Sequence, residues 1–147
     1  MAGFLTPLDI RFIDGRKWEV LSRFEYHVGA PDSGTCVTIL PGFITDFASI
    51  PRGLWNLFPP TGPYGKAAVV HDKLYQDREI FENVHKPAYF YEHPCDRKEA
   101  DNIFNEAMMV LGVGTWTRRI VYAGVRIGGW IAWDKHRAAE RKLLWRD

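Results

Sequence analysis

The segment that most constrains this chain is GKAAVVHDKLYQD, Gly65–Asp77. Four small apolar residues, Ala67 to Val70, lead straight into His71, Asp72 and Tyr75, with Ala68, His71, Asp72 and Tyr75 at helical spacings. Residues four apart share a helix face, so His71 and Tyr75 sit one turn apart on the same side. Asp72 is rotated from His71 by about 100° and serves the same cleft from another angle. The apolar lead predicts burial, and a buried histidine needs a hydrogen-bond partner to fix its tautomer.

A second helix, predicted over Asp96–Val110, offers that partner. Its apolar stripe is Ala100, Ile103, Phe104, Ala107, Met108 and Leu111, and Asp101 lies on it three residues before Phe104 and seven before Met108. A carboxylate on a core-facing stripe is costly unless paired, and His71 with Tyr75 would pair it. Asp96 is the alternative partner, although the D-R-K-E start gives it work as a helix N-cap. A water held by the other nitrogen of His71 would become a nucleophile. Asp72 could hold a hard cation such as Ca²⁺, helped by carbonyls of the loop Thr61–Gly65. Asp46 is a further carboxylate that could face His71, or simply cap the turn before Ile50-Pro51. Arg52 could bind a phosphate or pair with an acid.

Ahead of these helices the chain reads as β. Asp9–Ile13, Trp18–Tyr26 and Cys36–Ile39 are rich in β-branched and aromatic residues, separated by DGRK and GAPDSG. Residues 40–63 read as loop, with a short helical turn near Arg52–Phe58. A third helix is expected from about Thr115 to Trp133, continuing after Asp134 into a basic tail. Arg78–Cys95 reads as an insertion whose Pro87–Pro94 part is a surface loop. The expectation is an α+β fold in one domain, 1–147: a small antiparallel sheet within 1–60, then about three helices within 61–147.

Charge and composition exclude several classes. Net charge is +1, so no field draws the molecule as a whole to nucleic acid, and none is expected as a partner. The average hides a basic end: Thr115–Asp147 carries eight Lys or Arg against three Asp or Glu. The tail from Asp134, with Trp133, Leu143, Leu144 and Trp145, is amphipathic enough to touch a membrane surface or pack on a partner. Ile120–Trp133, interrupted by Arg126 and glycines, is too short and too charged to span one. Cys36 and Cys95 are too few for a disulfide framework and are expected free. The opening MAGFLTPLDIRF lacks the layout of a signal peptide. His27, His85, His93 and His136 show no metal-ligand spacing with a cysteine and receive no role.

Two resemblances add to this reading. HDKLY, at His71–Tyr75, resembles the HDxCY motif of phospholipases A2, and ADNIFNEAM resembles the helix that supplies the distant aspartate in bacterial members. The likeness runs over roughly residues 62–112, with Leu74 in place of a half-cystine. It implies His71 as base, Asp101 and Tyr75 as its supports, and Asp72 as a calcium ligand. A wider likeness, carried by TDFASIPR, HDKLY and RKEADNIFNEAM, is to bacteriophage and prophage domains of unknown function held to be distant phospholipase A2 relatives. It implies a phage origin, in the virion or the host cytoplasm. Two functions follow as expectations: a lipid ester hydrolase acting on host membrane lipids, or a non-catalytic component of the phage tail or head–tail region that contacts other virion proteins.

Overall fold

A computed structural model describes residues 3–47, 53, 56 and 64–144. The expected α+β architecture is present. Six strands come first: β1 (Gly3–Phe4), β2 (Ile10–Asp14), β3 (Lys17–Val20), β4 (Phe24–His27), β5 (Cys36–Ile39) and β6 (Ile44–Thr45). Helix α1 (Gly65–Asp77) follows, then a hairpin of β7 (Glu79–Glu82) and β8 (Tyr91–Pro94), then α2 (Arg97–Val110) and α3 (Thr115–Leu144). The strands form two antiparallel sheets, one in the order β1-β4-β5-β7-β8 and the other β2-β3-β6.

The hairpin corrects the expected division at residue 60. The insertion Arg78–Cys95 is part of the sheet: Phe81 on β7 pairs with Cys36 on β5, and Glu79–Glu82 pairs with Tyr91–Pro94. The predicted strand Trp18–Tyr26 is also divided, because Leu21-Ser22-Arg23 turns the chain from the small sheet into the large one. The predicted turn Arg52–Phe58 lies outside the described residues except for Gly53 and Asn56.

The core forms between the large sheet and the helices. Phe24, Tyr26, Val37, Ile39 and Ile80 are fully or almost fully buried and belong to one apolar cluster with Val69, Val70 and Leu74 of α1. Helix α1 is buried over most of its circumference, with Gly65 and Ala67–Tyr75 all buried. Such a helix lies at the centre of a fold rather than on its surface. Its β-branched pair Val69-Val70 has modest helix propensity, and packing on both sides compensates. Helix α2 buries the predicted stripe together with Asp101, except Leu111, which is the half-buried C-cap. Asp96 is its N-cap, accepting from the Glu99 amide at 2.7 Å. Its end is a Schellman turn. Gly112 takes φ 78°, and the amides of Gly112 and Val113 return to the carbonyls of Met109 and Met108.

Glu106 joins α2 to the sheet. One carboxylate oxygen accepts from the Tyr26 hydroxyl at 2.6 Å and the Gly29 amide at 2.9 Å. Arg137 of α3 grips the end of α1, donating to the carbonyls of Tyr75 (2.6 Å) and Gln76 (2.9 Å). Those carbonyls belong to the last turn of α1, and a cation there complements the helix dipole. Trp133 lies beneath both Arg137 and Arg78, at 4.8 and 5.8 Å from ring centroid to guanidinium. This tryptophan, read in sequence as able to touch a membrane or pack on a partner, anchors α3 within the fold. Both cysteines are buried and free. No described helix is long and apolar enough to cross a membrane.

Candidate active site

Three helices converge on Asp101. His71 Nε2 lies 2.7 Å from its Oδ1, and the Tyr75 hydroxyl donates to the same oxygen at 2.6 Å. The other oxygen accepts from Arg126 of α3 at 2.8 Å, with Arg97 behind it at 3.6 Å. Asp101 is wholly inaccessible and His71 nearly so. The partner expected for His71 is therefore in place, and Asp96 is occupied as the cap. A third donor, Arg126, lies 25 residues away on α3, where no helical spacing could reveal it.

Burial pushes the Asp101 carboxyl toward higher pKa, but hydrogen bonds from His71, Tyr75 and Arg126 outweigh it and hold the group below its ordinary range. Asp101 is thus an anion at neutral pH and can only accept. Nε2 of His71 carries the proton, so in the neutral ring Nδ1 carries the lone pair. Tyr75 is pushed upward by burial and by its bond to the Asp101 carboxylate, and it stays a donor. The imidazole is also fixed by its ring contacts, 4.5 Å from Phe104 in a stacked arrangement and 4.2 Å from Tyr75.

A cavity of about 780 Å³ opens beside this cluster, with His71, Asp72 and Tyr75 on one wall and α3 on the other. Val125, Ile131 and Ala132 make the α3 wall largely apolar, and Gly124, Gly128 and Gly129 keep it wide. That volume holds a ligand of drug size or an acyl chain. Asp46 lines the same cavity, as do Lys17, Lys135 and His136. His136, given no role from the sequence, is thus a wall residue. Burial and then the charges of Arg137 and Lys135 hold its imidazole below its usual range, so it is neutral at neutral pH. Only the register of α3 places it here, sixty-five residues from His71.

Gly129 is required by a close approach. A Cβ at this position would lie 2.5 Å from the Tyr75 hydroxyl oxygen. Gly129→Ala should therefore displace either α3 or the Tyr75–Asp101 bond, at about 1–3 kcal/mol of stability. In a Tyr75→Phe background most of that cost should vanish, since the crowded oxygen is gone. Chemical denaturation of the four proteins of this cycle measures it, and a cost unchanged in the Phe background would refute the contact.

Asp72 is buried and accepts from the Thr45 hydroxyl, which β6 delivers to it. The carbonyls expected from Thr61–Pro63 lie outside the described residues. Among the described residues, no group of three or more His, Cys, Asp or Glu side chains is placed to hold a metal ion. Arg52 also lies outside the described residues.

The profile of a family described as protein of unknown function DUF1353 matches residues 18–125, and the chain belongs to that family. His71, Asp72, Tyr75 and Asp101 fall within the matched stretch, whereas Arg126, Gly129 and His136 lie beyond it. No curated protein sequence and no solved structure matches the chain.

Proposed function

We propose that this protein hydrolyses carboxylic esters of phospholipids with His71 as general base. The observation that carries the reading is the His71–Asp101–Tyr75 cluster set in the wall of a mostly apolar cavity. A water held at Nδ1 of His71 gives up a proton as its oxygen attacks the ester carbonyl carbon. Asp101 stabilises the imidazolium that forms, and Tyr75 and Arg126 hold Asp101 in position. When the tetrahedral intermediate collapses, the carbon–oxygen bond to the alcohol breaks and the imidazolium returns the proton to the leaving oxygen. The products are a fatty acid and a lysolipid. Val125, Ile131 and Ala132 accommodate the acyl chain, while Lys17 and Lys135, which line the same cavity, supply positive charge. The likeness of HDKLY and ADNIFNEAM to phospholipases A2 supports the same chemistry. The likeness to phage and prophage domains supports a phage protein, carried in the virion or made in the host cytoplasm, that meets host membrane lipids.

One observation favours a second reading. The Asp101 cluster binds all three helices together, as a structural joint would. A virion component contacting other phage proteins could keep the cluster for that purpose alone. Incubation with a short-chain diacyl phosphatidylcholine below its micelle concentration, with and without added divalent cation, separates the two. Fatty acid accumulates if the hydrolase reading holds, and none appears in any condition if the cluster is only a joint.

A further inference from the structure

Helix α3 is the least buried of the three α-helices. Of its thirty residues only Val121, Val125 and Arg137 are buried. Trp116, Ile120, Ile127, Trp130 and Ile131 are all exposed, with Trp116 and Ile127 each at 76%. At ~100° per residue these five fall within an arc of about 100°, and at ~1.5 Å rise they extend over roughly 22 Å. They therefore make one continuous apolar stripe rather than scattered exposed residues.

Two features indicate what covers it. The first is charge. Within Thr115–Leu144 there are seven Lys or Arg against Asp134 and Glu140, in a chain whose net charge is only +1. Arg119 borders the stripe on one side, and Lys135 stands on the other just past its end, both exposed. The second is continuity: Ile131 belongs to the stripe and also lines the His71 cavity, so the stripe leads into the cavity mouth. Tryptophans at either end, cations along the flanks and a length too polar to span are the attributes of a helix lying in a membrane interface.

We infer that the Trp116–Ile131 face of α3 docks on an anionic phospholipid bilayer, parallel to its surface, with the cavity mouth toward the lipid. The tail beyond Asp134, amphipathic enough in sequence to touch a membrane or pack on a partner, is secondary. This deepens the proposed hydrolase, since it names the surface from which the cavity is filled. Binding is nevertheless measured without turnover and stands separately from it.

The test is cosedimentation with vesicles of diether phosphatidylcholine, alone or with about 30 mol % diether phosphatidylglycerol to supply anionic charge. Ether linkages cannot be hydrolysed by this chemistry. The wild type should sediment with the anionic vesicles, more weakly with the neutral ones, and less as salt rises. Its tryptophan emission should shift to the blue on binding. Ile127→Asp, on an open surface away from the cavity, should keep the fold and lower the partition at least about tenfold. Absence of binding to anionic vesicles overturns the inference, and so does binding that Ile127→Asp leaves unchanged. Concentration-dependent self-association abolished by Ile127→Asp, without vesicle binding, assigns the face to a second copy and also overturns it. Hydrolysis of the monomeric short-chain lipid, assayed in parallel, shows whether the catalytic reading survives either result.

Discussion

Asp101→Ala should destabilise the protein by about 3–5 kcal/mol, the cost of removing one partner from a buried ionic cluster. The substitution strands three donors at once: Nε2 of His71, the Tyr75 hydroxyl and the Arg126 guanidinium. Against a typical total of roughly 5–15 kcal/mol this is a large fraction, and thermal unfolding should fall by on the order of 10 °C. The effect has a pH signature whose sign follows from the lowered pKa. A carboxyl depressed in the folded state contributes stability that is fully present above its unfolded pKa, roughly 3.9. That contribution is lost as pH falls through this value toward the lower folded pKa. The wild type and Asp101→Ala should therefore differ most near neutrality and converge in strong acid. Denaturation midpoints measured from neutral pH to about pH 2 test this. A constant difference across the range would mean that Asp101 does not act through its charge.

The parts legible in the sequence were those fixed by local rules. Helices α1 and α2 follow from 3.6-residue periodicity, and the Asp96 cap from the D-R-K-E start. The Asp101–His71 pairing follows from the cost of two unpartnered ionisable groups on core-facing stripes. Non-local events were not legible. The β7–β8 hairpin lacks a clear alternation, because β8 is an edge strand with Tyr91, Glu92 and Pro94 exposed, and β7 owes its place to pairing with Cys36. The split of Trp18–Tyr26 occurs at Leu21-Ser22-Arg23, which has neither glycine nor proline and only Ser22 as a turn former. The register of α3 decides the rest. It brings Arg126 to Asp101, Arg137 to the end of α1, Gly129 against Tyr75 and His136 into the cavity. A glycine needed for close approach looks in sequence like any glycine that weakens a helix.

His71→Gln should reduce fatty-acid release by about 10²–10⁴-fold, the usual contribution of a positioned general base. Glutamine approximates the size of the ring and can still donate to Asp101, so the buried carboxylate is not left bare, but its amide cannot take a proton from water. The fold should therefore survive largely intact, with a change in stability well below that of Asp101→Ala. If the cluster served only as a joint, the same variant would be felt in stability and nowhere else. The most direct measurement is the initial rate of fatty-acid release from short-chain phosphatidylcholine by wild type and His71→Gln, each shown to be folded by circular dichroism. The account predicts measurable release by the wild type and a loss of at least about 10²-fold in the variant. Release that His71→Gln leaves undiminished, or no release by the folded wild type with or without divalent cation, would contradict it.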